Sequence, residues 1–344
     1  MIQQALKKIV EGHHLSRNEA YQVMNDIMSG QALPTQIAGY LIALRMKGEV
    51  VDEIVGSAQA MRDFATVVKP TVSPLVDTCG TGGDASGTFN ISTAAAFVAA
   101  GAGVKVAKHG NRAVSSKSGS ADVLQALGIN ISLNADQMAR CVDETGIGFL
   151  FAQTLHPAMK HAIGPRKEMG VRTIFNMLGP LTNPARARRQ VIGVFHPGLT
   201  ELFAEVLQAM GSEHVLVAHG TGGYDELSVT GQTVLTELKS GEIRTYRINP
   251  IEFHLPDYRH EDLLGGTPED NAAIIRDIFA GRRDGAGRAM VALNAGAAIY
   301  VSGLTGSLFE GYELAQASIS DGLALDKMET LANFSQTFTE GKPV

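Results

Sequence analysis

Past Lys69-Pro70 the chain alternates short β-rich runs that end near glycine with helical stretches, and this alternation constrains the fold more than any other feature. The runs lie at 75–78, 104–107, 147–151, 191–195 and 215–217. Strands joined through helices need crossover connections, so they line up in parallel, which predicts an α/β class with a mainly parallel central sheet. The segment 233–248, pivoting on Ser240-Gly241, reads as an antiparallel hairpin added to that pattern. Helix ends are legible: Asn134 with Gln137 starts one that Gly146 stops, and Thr267-Pro268-Glu269-Asp270 opens another. The uncharged stretch 289–309 contains Asn294, Gly296, Ser302 and Gly303, which fits a buried helix ending near Gly303 better than a membrane span.

The first 66 residues carry no strand signal. Ser16 and Glu19 form a capping-box pattern, Gly30 stops that helix, and Pro34 and Gly48 bracket the next. Ile37, Tyr40, Leu41 and Leu44 keep the three-to-four spacing of one buried stripe, and Val51, Ile54, Val55, Ala58 and Met61 repeat it. Four short helices in a small unit, 1–70, are expected ahead of an α/β unit, 71–344.

Lys and Arg number 29 against 35 Asp and Glu, a net charge of −6. A protein that coats nucleic acid needs a surplus of cations on one face, so this balance argues against one. Two cysteines, Cys79 and Cys141, are too few for a disulfide framework and suit a reducing cytoplasm. Residues 1–11 reach Lys7 and Lys8 with no apolar region behind them, so they do not read as a signal peptide.

Four stretches carry chemistry. After the first strand comes Cys79-Gly80-Thr81-Gly82-Gly83-Asp84, then Thr88-Phe89-Asn90-Ile91-Ser92-Thr93 and an alanine-rich helix. Glycine amides approach a phosphate closely and a helix start adds partial positive charge, although the same residues also suit a tight βα turn. The loop lacks the Gly-Lys-Ser/Thr ending of a Walker A sequence. After the second strand comes Lys108-His109-Gly110-Asn111-Arg112-Ala113-Val114-Ser115-Ser116, continuing to Ser120. Two glycine loops at neighbouring strand ends point to one ligand with more than one phosphate group. Asp225-Glu226 lies past a third strand end, where paired carboxylates can hold hard cations or simply face solvent. Gly164-Pro165-Arg166 supplies a planar guanidinium suited to a carboxylate or to a surface ion pair. His109, His156 and His161 are candidate acid-base groups, but no triad spacing accompanies them.

Taken together and in order, these stretches, with Asn176-Met177-Leu178-Gly179-Pro180, resemble the anthranilate phosphoribosyltransferase family of tryptophan biosynthesis, essentially end to end. The resemblance implies a fold similar to pyrimidine nucleoside phosphorylases, in which a later helical segment around 168–190 joins the N-terminal helices and the site lies in the cleft beside the α/β unit. It implies a Mg²⁺-dependent pentosyltransferase that converts phosphoribosyl pyrophosphate and anthranilate to N-(5-phosphoribosyl)anthranilate and pyrophosphate. By motif, the phosphoribosyl pyrophosphate shell is Gly80, Gly83, Asp84, Thr88, Asn90, Ile91, Ser92 and Thr93 with Lys108, His109, Gly110, Asn111, Arg112, Ala113, Val114, Ser115, Ser116 and Ser120. Gly80, Asn111 and Arg166 correspond to anthranilate contacts. Ser92, Asp225 and Glu226 correspond to magnesium positions, for two ions, and no general acid or base is assigned. A homodimer and a glutamine amidotransferase subunit of anthranilate synthase are the implied partners, with neither nucleic acid nor membrane. The alternatives on the same fold are a nucleoside phosphorylase and a non-catalytic nucleic-acid-binding relative.

Overall fold

The computed structural model describes residues 1–82, 86–113 and 117–338. Four helices come first: α1 (Ile2–Val10), α2 (Arg17–Met28), α3 (Pro34–Lys47) and α4 (Val51–Phe64). Ser16 caps α2 as a capping box, with Glu19 Oε2 accepting the Ser16 N–H at 2.9 Å. Val23, Met24 and Ile27 of α2, Leu41 and Leu44 of α3 and Ile54 and Ala58 of α4 are buried, as the apolar spacing requires. One ion pair lies inside this bundle. Glu53 Oε1 accepts the Leu15 N–H, and Oε2 accepts the Val50 N–H and Lys47 Nζ, the last at 2.9 Å. The Glu53 and Lys47 side chains are 0% and 5% exposed, so each charge depends on the other.

Strands and helices then alternate: β1 (Leu75–Gly80), α5 (Ile91–Gly101), β2 (Lys105–Gly110), α6 (Ser120–Ala126), α7 (Ala135–Thr145) and β3 (Ile147–Phe151). Helices α8 (Ala152–Leu155), α9 (Lys160–Met169) and α10 (Phe175–Leu181) follow, then β4 (Arg189–Gly193), α11 (Leu199–Ala209) and β5 (His214–Gly220). The hairpin β6 (Thr233–Lys239) and β7 (Glu242–Ile248) leads to α12 (Pro268–Phe279), α13 (Ala286–Ser302), α14 (Leu308–Ser320) and α15 (Leu323–Gln336). Helix α13 is buried along its length and ends at Gly303 in the left-handed conformation, φ 87°. Among the described residues no helix is long and apolar enough to cross a membrane.

The seven strands form one sheet in the order β3-β2-β1-β4-β5-β6-β7. The first five are parallel, and β6 and β7 are antiparallel additions. Side chains alternate between the faces: Val191, Leu216 and Ala218 join a core with α5 and α13, while Ile192, Val215 and Val217 join a second core with α11 and the N-terminal helices. The crossover from β1 through α5 therefore covers one face and that from β4 through α11 covers the other. Since β1 and β4 are neighbours, their carboxyl ends open a crevice where the strand order reverses.

Helices α9 and α10 contribute Ala162, Phe175, Met177 and Leu178 to the second core. Arg189 and Gln190, at the end of the expected 168–190 helical segment, already belong to β4. Two buried histidines lie along this seam. His109 Nδ1 lies 3.2 Å from the Gly179 carbonyl, which can only accept, so Nδ1 carries the proton. The His156 ring is 5.2 Å from it, and Nε2 of both rings has no protein partner among the described residues. Burial pushes His109 down to about 3, with help from His156, and pushes His156 down to about 4 against the Thr182 backbone.

Glu53→Gln leaves the Lys47 ammonium buried without its counter-charge and should lower unfolding free energy by on the order of 3 kcal/mol, read from urea denaturation at pH 7. A second expectation concerns acid. A histidine held neutral in the fold costs nothing above the unfolded pKa and destabilises as pH falls below it, by about 1.4 kcal/mol per pH unit, until the folded value is reached. His156→Asn should therefore make the fall in stability between pH 6.5 and about 4 shallower by that slope. A wild-type slope in the variant would remove His156 from the account.

Candidate active site

The crevice above β1 and β4 is built by close backbone approach. A side chain on Gly193 would overlap the Asp225 carbonyl oxygen, and a Cβ on Gly80 would lie 2.5 Å from Asp225 Oδ2. Glycine at both strand ends therefore lets the Asp225-Glu226 loop lie directly on the first glycine loop. Gly82 N–H donates to Asp225 Oδ2 at 2.8 Å, joining residues 143 apart in the chain. Thr81 N–H donates to the Gly193 carbonyl at 2.8 Å, and Thr81 Oγ1 accepts the Phe195 N–H at 3.2 Å. Below this junction Thr78, Ser92, Gly193, Glu226 and Asn294 line one small cavity.

The second glycine loop is tied to the first through Asn90. Its Nδ2 donates to the Ser118 carbonyl at 3.1 Å, and its Oδ1 accepts from Ser118 Oγ at 3.1 Å and from Asn271 Nδ2 at 2.9 Å. Within that second loop the Asn111 carbonyl accepts Ala121 N–H at 3.2 Å and Ser120 Oγ at 3.1 Å. Asp122 holds the loop's shape by accepting the Ala113 and Gly119 N–H groups at 3.0 and 2.9 Å. Gly82 and Asn90 thus link the two glycine loops and the Asp225-Glu226 loop. Arg112 is committed to Asp122 at 2.7 Å and to Gln125 at 3.1 Å. His109 points to α10, Ile91 and Thr93 are buried, and Thr88 Oγ1 pairs with Ser86 Oγ at 3.2 Å. Gly83, Asp84, Val114, Ser115 and Ser116 lie outside the described residues.

A buried charge network underlies the crevice. Asp77 is fully buried, and its carboxylate accepts the His109 N–H at 3.0 Å, Asn183 Nδ2 at 2.8 Å and Cys79 Sγ at 3.4 Å. Lys108, 3% exposed, donates to the Thr78 carbonyl and, at 3.4 Å, to Ser92 Oγ. Burial raises the Asp77 pKa, opposed by Asn183 and by the Lys108 charge. Burial lowers that of Lys108, opposed by Asp77, Cys79, Glu226 and Asp225. Lys108 therefore lies in the field of the buried Asp77 carboxylate and of Asp225 and Glu226. Sequence reasoning missed Asp77 and Asn183; a lone Asp at 77 directly after apolar Leu75 and Val76 in a strand signals the first, and nothing local signals the second.

Arg166 comes from α9 and stacks on Phe175 of α10, with Cζ 5.0 Å from the ring centroid. Among the described residues it has no carboxylate partner, and burial alone lowers its pKa. A half-buried guanidinium on an aromatic face keeps its planar donors for a planar anion.

Among the described residues no three His, Cys, Asp or Glu side chains gather into a metal cluster. Asp225, Glu226 and Ser92 offer an all-oxygen set with two charges, and Ser92 and Glu226 share the cavity. Such a set is too small to cage Ca²⁺ alone and fits Mg²⁺, which takes one or two carboxylates and fills its shell with water and phosphate oxygens.

Residues 72–325 match the family described as glycosyl transferase family, a/b domain, and residues 3–65 match its helical bundle domain. The anthranilate phosphoribosyltransferase of Cellvibrio japonicus is 55% identical over 338 residues, covering 97% of this chain and 98% of that protein. The crystal structure of anthranilate phosphoribosyltransferase from Thermus thermophilus matches with a TM-score of 0.92 at 44% identity, covering 96% of this chain and 99% of that one. The Saccharomyces cerevisiae protein of the same name, in complex with PRPP and Mg, matches with a TM-score of 0.89 at 26% identity, covering 98% of each chain. Agreement over the helical bundle and the α/β domain alike means that this chain belongs to the anthranilate phosphoribosyltransferase family.

Proposed function

We propose that this chain transfers the 5-phosphoribosyl group of phosphoribosyl pyrophosphate to the amine of anthranilate, releasing pyrophosphate. The observation that carries the reading is the hydrogen bond from Gly82 N–H to Asp225 Oδ2, which brings a glycine loop and an acidic loop together at the crevice of the sheet. Yeast relatives in complex with PRPP and Mg and with 4-fluoroanthranilate support the same pair of substrates.

Breaking the bond from ribose C1 to pyrophosphate builds positive charge on the sugar and negative charge on the leaving group. In this reading the amides around Gly80 and Gly82 and the loop 110–120 hold the two phosphate ends, and Lys108 adds a fixed positive charge beside Ser92. Asp225, Glu226 and Ser92 hold Mg²⁺, two ions in this proposal, which when bound neutralise the departing pyrophosphate. Arg166, with Asn111 and the Gly80 backbone, takes the anthranilate carboxylate and aims the amine at C1, where holding it about 3 to 3.5 Å away contributes much of the rate. An aromatic amine is already neutral at pH 7, so no general base is needed before attack.

The reading places the protein in the cytoplasm, where Cys79 and Cys141 stay free thiols. It extends to a homodimer through the N-terminal helices, which expose Val10, Leu33 and Met46, and to a glutamine amidotransferase subunit as a second partner.

The direct test follows anthranilate fluorescence after addition of phosphoribosyl pyrophosphate. Signal should fall with Mg²⁺, stay constant in EDTA and fall again when Mg²⁺ is restored; release of base from thymidine and phosphate instead would favour a nucleoside phosphorylase. Asp225→Asn combined with Glu226→Gln should lower kcat/KM at least about 100-fold, or about 2.7 kcal/mol, and flatten the Mg²⁺ titration. Wild-type turnover across that titration would refute the metal assignment. Arg166→Ala should raise the anthranilate KM by an amount worth on the order of 1.5 to 3 kcal/mol and leave that of phosphoribosyl pyrophosphate within about twofold.

A further inference from the structure

Residues 258–266 form a short strap that touches the flanks of both halves of the crevice. At one end the Tyr224 hydroxyl and His260 Nδ1 are hydrogen-bonded at 2.6 Å, with ring centroids 5.7 Å apart. Tyr224 is 2% exposed and immediately precedes Asp225-Glu226. Its backbone closes on Gly220 in both directions, Gly220 N–H to Tyr224 O at 2.9 Å and Tyr224 N–H to Gly220 O at 3.2 Å. The position of the ring therefore sets where the acidic pair begins.

At the other end the strap grips the segment that leads into Ser92. Leu263 is fully buried and anchors it; Phe89 N–H donates to the Leu263 carbonyl at 3.2 Å and Gly265 N–H to the Gly87 carbonyl at 2.9 Å. Gly266 N–H donates to Asn271 Oδ1 at 2.8 Å, and Asn271 Nδ2 reaches Asn90 at 2.9 Å. The fit is close, since a Cβ on Gly265 would lie 2.7 Å from Phe89 Cα. His260 itself is exposed and supplies nothing to the chemistry described above. Its hydrogen bond joins the strap to one loop while the strap's backbone joins the other.

We propose that the strap sets the spacing between Ser92 and the Asp225-Glu226 pair, with Tyr224 and His260 as positioning residues. This rests on the function proposed above. A site assembled from segments so far apart in the chain needs such a link, because misplacing a ligand by about 1 Å can cost about 100-fold in rate.

Tyr224→Phe removes one hydroxyl and keeps the buried ring, and His260→Ala removes its partner. Each should raise the KM for phosphoribosyl pyrophosphate and the half-saturating Mg²⁺ concentration roughly 3- to 10-fold, as expected for one hydrogen bond, with the anthranilate KM within about twofold. The double variant should match the singles, because the two residues act as one pair. His260→Asn, which offers a donor and an acceptor near the Nδ1 position, should recover most of the loss. Amide exchange across 86–92 should quicken in His260→Ala and return in His260→Asn. Wild-type kinetics in Tyr224→Phe, equal rises in both KM values, additive effects in the double variant, or unchanged exchange would overturn the strap. Wild-type protein that fails to consume anthranilate would overturn the proposed function, and the exchange measurement then judges the strap separately.

Discussion

The carbonyl oxygen of Asp225 occupies the space that any side chain on Gly193 would need, and the whole crevice depends on that approach. Parallel strands present their carboxyl ends on one edge of the sheet, but the loops leaving them diverge, because α5 and α11 cover opposite faces. Convergence has to be imposed by contacts made after the strands end. Gly80 and Gly193 provide it by omission, and the Gly82 amide provides it by donating to Asp225. A residue with a Cβ at either strand end would push the acidic loop outward and separate it from the amides it meets. The preference for glycine here comes from steric exclusion; neither position has a positive φ.

Once the loops meet, their charges have to be held. Lys108 is nearly enclosed, a costly place for an ammonium unless carboxylates lie close by. The fields of Asp77, Asp225 and Glu226 oppose that cost. Asp77 is in turn held by the His109 amide and the Asn183 side chain, so its own burial is compensated by hydrogen bonds as well as by charge. The network holds Lys108 against the Thr78 carbonyl and Ser92, beside the cavity that Glu226 also lines. In the proposed function the Lys108 charge would offset that of a polyphosphate bound at the crevice, the electrostatic arrangement that transfer reactions of this kind use.

Much of the architecture was legible because it is written in local patterns. The β-rich runs ending at glycine gave β1 to β5, Ser240-Gly241 gave the hairpin, and capping residues such as Ser16, Asn134 and Thr267 marked helix starts. Strand β4 begins earlier than its apolar run suggests: Gln190 is buried near the strand's start, with its Nε2 donating to the Pro180 carbonyl, a partner no local pattern reveals. The glycine loops and the Asp225-Glu226 pair were visible by composition, and their contact was not: it is a tertiary fact about Gly193. Arg112 looked like a phosphate ligand by charge, yet Asp122, ten positions on, engages it. Asn183 and the Tyr224–His260 pair escaped notice for the same reason, since their significance lies in partners from other segments.

In the proposed function the two substrates are addressed by different parts of this chain, and transfer would require those parts to hold register. Arg166 sits on α9 and is stacked against Phe175 of α10, so it belongs mechanically to the helices packed with the N-terminal bundle. The glycine loops belong to the sheet. Among the buried links that cross between them are His109 of β2 to the Gly179 carbonyl of α10, and Asn183, just past α10, to Asp77 of β1 and the Ala107 carbonyl of β2. Both use neutral donors in a water-poor seam, where a hydrogen bond is directional and its loss leaves a buried group unsatisfied. The depressed pKa of His109 keeps that donor neutral through the physiological range, so the link does not loosen with pH near 7. A charged bridge across the same seam would need its own counter-charges beside Lys108 and Asp77. Neutral side chains tie the helices that carry the guanidinium to the strands that carry the glycine loops without disturbing the charge balance on which the crevice depends.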